Sequence, residues 1–422
     1  MNTGNFEKKM QVPYGLSVHG EEEIEAVVTV LRTGTQMGRN VRVLEEKIAA
    51  LFAKKHGVML NSGSSANYLA IELIDLPKAS EVITPVLTFS TTVAPLVKNG
   101  LIPVFVDVRP DTYNIDADLV ESVITKNTKA MMIPNLLGNL PDWKKLRVLA
   151  DRYGLILVED SADTLGAQIS GKSSGIYSDL STTSFYGSHV INCAGNGGML
   201  CVNTDKMARQ ARLLRSWGRS SSLFEESEAI ENRFNATIDG IQYDSKFIFE
   251  ISGYNLEPSE MGAAFGLVQL KKLNDNIEMR ENNYQRLYTW FEKFSKWFQL
   301  PVQAADTRTG WLAFPLLVRD NAPFSRREMQ VYLEKHGIQT RTIFTGNILR
   351  QPGFCNIKHV KGAESFPVAD GVMRGGLLIG CHHGLTKKMI NYIENTVDKF
   401  LNQYLRPSQS EREVELYADQ SQ

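Results

Sequence analysis

The sequence predicts an α/β fold in which a large domain with a mainly parallel sheet is followed by a smaller α+β domain. Three observations carry this. Short apolar runs recur between residues 57 and 204 with helical segments between most of them. Those runs are apolar on both faces, as strands covered by helices on two sides must be. From about residue 300 the pattern changes to a strand, a helix, a short strand and a final helix, which fits a smaller α+β unit.

Along the chain, Ile24, Val27, Val28 and Leu31 fall at i, i+3, i+4 and i+7 and stop at Gly34, which predicts an amphipathic helix over 21–31. Strands are expected at 57–60, 81–84, 103–108, 130–134, 155–159 and 199–202, with helices at 66–73, 91–98, 117–124 and 144–153. Residues 219–248 are polar and weakly periodic and read as a long loop or lid. Residues 259–273 and the stretch through 294 read as helical, with Pro258 at the start and Met261, Ala264, Phe265 and Val268 on one face. A strand at 312–318, a helix at 326–336, a strand at 339–342 and a helix at 387–405 complete the pattern. The expected division is a large domain over 50–275, a small domain made of 12–49 and 276–405, and a flexible polar tail over 406–422.

The 422 residues carry 46 Lys and Arg against 47 Asp and Glu, and a net charge of −1 gives no bulk drive toward nucleic acid or an anionic membrane. No apolar run approaches the ~18 residues of a membrane span. The polar start MNTGNFEKKMQ lacks the apolar region of a signal peptide, so a cytoplasmic protein is expected. The four cysteines, Cys193, Cys201, Cys355 and Cys381, are scattered and form no CxxC; they read as small hydrophobes, and no metal is expected.

Three segments carry candidate chemistry. In NSGSSANYLAIELI, residues 61–74, a strand gives way to a small-residue turn and a helix start. Backbone N–H groups there, with the Ser64 and Ser65 hydroxyls, could hold a phosphate, or a serine could simply cap the helix. In LILVEDSADTLGA, residues 155–167, an apolar strand ends in Asp160, where open α/β sheets meet their ligands. A buried carboxylate there calls for a cation such as a protonated pyridine nitrogen, or for loop amides. In STTSFYGSHVINCAGNGGML, residues 181–200, Ser184 and His189 precede a glycine-rich turn. A lone histidine is more often structural; the order of the three segments is what points to a cofactor site.

That order resembles the pyridoxal-phosphate enzymes of fold type I, and among them the nucleotide-sugar aminotransferases and 3-dehydratases. The resemblance runs over about residues 12–404 and rests on GSSAN (63–67), TFSTT (88–92), FVDV (105–108), LLGN (136–139), VEDSAD (158–163), SFYGSH (184–189), GNGG (195–198) and GYNLEP (253–258). It implies that Gly63, Ser64, Ser65 and Ser184 hold the cofactor phosphate, that Phe89 stacks on the pyridine ring and that Asp160 pairs with its nitrogen. It further places Asp163 near the phenolic oxygen and has Asn255 reach the phosphate from the second subunit of a homodimer. Where the aminotransferases carry their Schiff-base lysine, five residues after the serine, this chain has His189.

An imidazole can take and return protons near neutral pH but has no primary amine, so the cofactor would be held noncovalently. Histidine here resembles the 3-dehydratases of nucleotide-linked 4-keto-6-deoxyhexoses. In those, pyridoxamine phosphate condenses with the C4 ketone, the histidine takes a proton from the cofactor and the C3 hydroxyl leaves. One subtype obtains its amino group from glutamate; another adds an iron–sulfur cluster and a reductase. The second subtype needs a group of cysteines after WGR (217–219), where this chain has SSSLFEESEAIENRF. The expectation is therefore a cluster-free dehydratase. The alternatives are another reaction on a keto sugar, such as epimerisation or reductase-coupled dehydration, and a noncatalytic binding protein. Two departures stand out: Ser188 where the resemblance suggests a second histidine, and Asn196 where an acidic residue is usual.

Overall fold

The computed structural model describes residues 10–224 and 229–405, the side chain of Asn232 excepted. An eight-stranded sheet lies at the centre of its larger part, with β1 His56–Leu60, β2 Glu81–Pro85, β3 Ile102–Val106, β4 Thr128–Pro134, β5 Ile156–Asp160, β6 Leu180–Ser184, β7 Gly198–Val202 and β8 Val360–Lys361. They lie in the order β1-β7-β6-β5-β4-β2-β3-β8. Only β7 runs antiparallel to its neighbours, so the sheet is mixed but mainly parallel, as expected.

Both faces are covered, which is why the strands are apolar throughout. On one face Ala66, Leu69 and Ala70 of helix Gly63–Leu73 and Ala208, Ala211 and Leu214 of helix Asp205–Arg215 pack on Val58, Val82, Val158 and Leu200. On the other, Trp143, Leu146 and Leu149 of helix Trp143–Tyr153 pack on Ile83, Val104, Met131 and Leu157. Helix Arg39–Leu51, which the sequence pattern did not reveal, places Val41, Leu44 and Ile48 against Met59, Phe185 and Met199. Cys193 is buried in the same cluster under helix Glu260–Lys271, where a Cβ on Gly266 would lie 2.5 Å from its sulfur.

A second, four-stranded antiparallel sheet has the order Phe298–Gln299, Ala313–Val318, Gly376–Gly380, Thr340–Thr342. Helices Arg326–Lys335, Pro367–Gly375 and Lys387–Leu405 bring Met329, Leu333, Val372, Ile393 and Val397 into one core with its Phe314, Leu316 and Leu378. Helix Leu273–Phe291 serves both parts: Ile277 packs beside β7 residues, while Leu287 and Phe291 join the second core.

The described residues of 219–248 are more ordered than a loop. They hold a 3-10 turn at Ser220–Leu223, a helical turn at Ile230–Arg233 and a hairpin of Ala236–Ile238 with Ile241–Tyr243, turning at Asp239-Gly240, both with positive φ. Asp-Gly is a strong hairpin signal that the polar flanks obscured. The expected tail, 406–422, lies outside the described residues. Among the described residues no helix is long and apolar enough to cross a membrane, and no three His, Cys, Asp or Glu side chains gather as metal ligands would.

Candidate active site

The carboxyl ends of β1, β5 and β6 converge on a cavity of about 510 Å³. Gly63, Ser64, Phe89, Asp160, Asp163, Ser184 and His189 line it, together with Tyr14, Asn67, Thr92, Leu312 and Phe344. Ser65 and Asn255 are not part of its wall. The Ser65 hydroxyl is held in the turn, donating to Asn61 Oδ1 at 2.6 Å and pairing with Ser62 Oγ at 2.9 Å. Asn255 is exposed and forms a backbone bridge with the buried Ser216.

At the helix start, Ser62 is the N-cap and accepts from the Ser65 N–H at 3.1 Å. The first turn's other N–H groups have no helical acceptor, so an anion beside Gly63 and Ser64 would be favoured by both hydrogen bonding and the helix dipole. Gly63 is required by close approach: a Cβ there would stand 2.5 Å from the Ser184 Cβ and 2.9 Å from its Oγ. The glycine thus lets the helix start sit against the end of β6, with the Ser184 hydroxyl beside it.

Asp160, only 6% exposed, ends β5. Its Oδ2 accepts from Asn67 Nδ2 and Thr92 Oγ1, both at 2.8 Å, and its Oδ1 from the Ala162 N–H at 3.2 Å. Asn67 is oriented in turn by accepting at Oδ1 from Thr182 Oγ1 at 2.5 Å. Burial pushes the Asp160 carboxyl up against the pull of these donors, and no cation pairs with it among the described residues. Asn67 and Thr92 lie inside the GSSAN and TFSTT segments, where neither residue type alone signals a role.

Asp163 Oδ2 accepts from the Leu137 N–H at 3.0 Å, and Leu137 of the LLGN segment is held at φ +62° to make that bond. A leucine in that region is strained, which a position aiming a backbone donor can sustain. Burial, with nearby Asp160 adding to it, raises Asp163 to about 7. His189 Nδ1 lies 3.0 Å from the Ser184 carbonyl, which can only accept, so Nδ1 carries the hydrogen and Nε2 is bare. Nε2 stands 3.9 Å from Asp163 Oδ1. That spacing allows an ion pair, but burial lowers His189 to about 4 while raising Asp163 to about 7, so at pH 7 we assign a neutral imidazole beside a carboxyl that is about half protonated. A neutral base beside a weak acid can pass protons within the cavity.

The donor set also fits pyridoxal or pyridoxamine phosphate. A helix start with free N–H groups and a hydroxyl suits a phosphate, and a buried carboxylate lacking a cation suits a pyridinium nitrogen. Phe89, about half exposed and edge-on to Phe344 with ring centroids 5.8 Å apart, offers an aromatic wall.

The DegT/DnrJ/EryC1/StrS aminotransferase family model matches residues 18–398. A dTDP-4-dehydro-2,6-dideoxy-D-glucose 3-dehydratase of Saccharopolyspora spinosa is 32% identical, covering 92% of this chain and 86% of its own. A GDP-4-keto-6-deoxy-D-mannose 3-dehydratase of Yersinia pseudotuberculosis is 31% identical over 92% of this chain and 98% of its own. The solved Escherichia coli GDP-4-keto-6-deoxy-D-mannose-3-dehydratase with bound hydrated PLP superposes with a TM-score of 0.82 at 26% identity, over 92% of this chain and all of that one. A further solved form of the GDP-sugar dehydratase carries asparagine and lysine in place of an adjacent serine and histidine. The same Ser–His order stands at Ser188 and His189, which corrects the expectation of a second histidine.

Proposed function

Because the chain belongs to the DegT/DnrJ/EryC1/StrS aminotransferase family, we propose that it is a pyridoxal/pyridoxamine-phosphate-dependent 3-dehydratase of a nucleotide-linked 4-keto-6-deoxyhexose, working without an iron–sulfur cluster. The observation that carries this reading is the bare Nε2 of His189 beside Asp163, at the position where a transaminating relative needs a lysine.

Gly63 and Ser64 N–H groups with the Ser184 hydroxyl would hold the cofactor's phosphate, Asp160 its pyridine nitrogen, Phe89 its ring and Asp163 its phenolic oxygen. Bound there, pyridoxamine phosphate supplies an amine for the sugar's C4 ketone and a ring able to take up electrons. His189 holds no amine that would compete for the carbonyl, so the cofactor is retained noncovalently. Its Nε2 takes a proton and returns it toward the departing C3 hydroxyl, which leaves as water. Asp160 and the buried wall around it exclude competing bases and keep the nitrogen protonated. Glutamate is the amino donor that restores the pyridoxamine form.

We place two copies of the chain in the working enzyme, Asn255 of each completing the phosphate site of the other. The exposed apolar side chains of Phe234, Ile241, Tyr243, Phe247 and Phe249, close to Asn255 in sequence, support a buried partner surface. Nucleotide-linked substrates put the reaction in the cytoplasm.

The test is release of ammonia and 2-oxoglutarate with GDP-, CDP- and dTDP-linked 4-keto-6-deoxy sugars, with glutamate present and with or without a reductase. Turnover with glutamate alone is expected. A strict need for the reductase rejects the cluster-free mechanism, and the preferred nucleotide identifies the substrate.

A further inference from the structure

Arg280 is fully buried on helix Leu273–Phe291, and no carboxylate pairs with it among the described residues. Its five donor contacts fan out in three directions. Nη2 donates to the Ser188 and His189 carbonyls, both at 3.1 Å. Nη1 donates to the Trp311 and Leu312 carbonyls at 3.0 and 3.3 Å. Nε donates to His383 Nδ1 at 3.1 Å, which fixes the hydrogen of that ring on Nε2. On the same helix, Asn276 Nδ2 donates to the Val190 carbonyl and Asn283 Nδ2 to the His382 carbonyl, each at 3.0 Å. Residues 276, 280 and 283 share one helix face, so this is a continuous polar stripe, buried at Asn276 and Arg280 and half-buried at Asn283.

An isolated buried cation is costly, and sequences retain one where its geometry is needed. Here the planar fork meets two successive carbonyls of the turn that carries His189, while the same guanidinium holds Leu312, a cavity-lining residue, and the turn after strand Gly376–Gly380. We infer that Arg280 is a positioning residue: it clamps the peptides on either side of His189, setting the imidazole's orientation toward Asp163 and tying it to the second sheet. This rests on the reading of His189 as the proton-transferring group.

The charge acts in the same direction as the geometry. The titratable groups around the guanidinium are Tyr14, Asp163, His189, Cys381, His382 and His383. A cation behind His189 adds to burial in lowering that imidazole, and a lysine would keep charge but lose the two-carbonyl fork.

The experiment compares the wild-type protein with Arg280→Lys, Asn276→Ala and His189→Asn, loaded with pyridoxamine phosphate. Two readouts are taken: steady-state kinetics against pH, and ¹⁵N–¹H imidazole spectra in which the signal absent from His189→Asn identifies His189. Arg280→Lys should lower kcat by roughly tenfold to a hundredfold, the range seen when a reacting group is misplaced by an ångström. KM should stay nearly constant. The His189 ring should lose its fixed Nδ1–H form and titrate at a lower pH, because the lysine keeps the neighbouring charge and the burial while the Ser184 bond that raises the imidazole is loosened. Asn276→Ala, which removes one bond to the same turn, should shift these readouts in the same direction by less, and it carries the test if Arg280→Lys does not fold. An unchanged His189 tautomer and midpoint in the folded variants overturns the assignment. Unchanged turnover in His189→Asn would instead remove the base itself, while the ring spectra of Arg280→Lys still decide whether Arg280 orients it.

Discussion

The cavity floor and the stretch 219–254 are built in opposite ways. On the floor, each side chain is satisfied within the chain: Asp160 by Asn67, Thr92 and the Ala162 amide, Asp163 by Leu137, His189 by Ser184. Along 219–254 the hairpin strand Ile241–Tyr243 is exposed throughout, and Ile230, Phe234, Phe247 and Phe249 are each more than half exposed. A two-stranded hairpin is marginal by itself in water. The chemistry therefore sits on strand ends fixed by a packed core, whereas the outer stretch has surface left over for a partner.

The sharpest way to break this comparison is to remove the base from the floor. His189→Asn should cut dehydratase turnover by roughly 10²- to 10⁴-fold, the usual contribution of a placed acid–base group. Cofactor retention, followed by absorbance, should hardly change. His189→Lys should add a borohydride-sensitive visible band while dehydration stays low. Turnover at the wild-type rate in either variant would take His189 out of the proton step.

Next in size is the outer stretch. Charges at Tyr243→Asp and Phe247→Asp should raise the dimer dissociation constant on the order of a hundredfold, since buried aromatic contacts dominate such interfaces. Sedimentation velocity would read this directly. The monomer should keep its fold and lose phosphate affinity, because Asn255 would no longer complete a neighbouring site. A dimer that survives both charges would mean that the exposed rings face something else.

How far the sequence shows each region follows from where its stabilising partners lie. The strands that end at the site are legible where they are apolar, as in β5, but β6 escapes because LSTTS has no apolar period. It is buried all the same, since its hydroxyls are used: Ser181 donates to Glu159, Thr182 to Asn67 and Thr183 to the Ser161 carbonyl. Helix Arg39–Leu51 escapes for a different reason. Its N-terminus is capped from 220 residues away, with Glu260 accepting from the Gly38 and Asn40 N–H groups, both at 2.7 Å, so no local capping residue announces it. Asp160, Ser184 and His189 are visible from motif order, whereas Arg280 sits in an ordinary helical stretch and is found only from its contacts.

A smaller effect separates function from stability on the floor. The Asp160 carboxyl is raised by burial, so its ionised form is penalised in the folded chain, and the stability it contributes is lost as pH climbs through that raised value. Asp160→Asn removes that penalty but, with its amide oxygen accepting from Asn67 and Thr92, gives up the 3.2 Å bond from the Ala162 N–H, so the cofactor-free protein should be about as heat-stable as the wild type at pH 7. The gain in Tm on adding pyridoxal phosphate should shrink, because the amide offers no charge to a pyridinium nitrogen. A cofactor-free variant that melts well below the wild type would show that the carboxylate is needed for folding.

The smallest effect isolates Asp163. Its folded value of about 7 lies above the unfolded carboxyl, so below pH 7 it carries a hydrogen that it can donate, and above pH 7 it becomes a second anion beside Asp160. Its contribution to stability is thus complete below about pH 3.8 and fades as pH rises through 7. Under the reading that it faces the cofactor's phenolic oxygen, the donor form favours binding and the anion opposes it. Pyridoxal phosphate affinity should then fall as pH rises from 6 to 8, by about tenfold for each unit above the midpoint at most. The cofactor's own ionisations contribute to any such profile, so the informative quantity is the difference from Asp163→Asn, whose amide donates at every pH. Equilibrium titration of both proteins across that range should give a steeper decline for the wild type. Parallel profiles would mean that Asp163 does not meet the cofactor and serves only to face the Nε2 of His189.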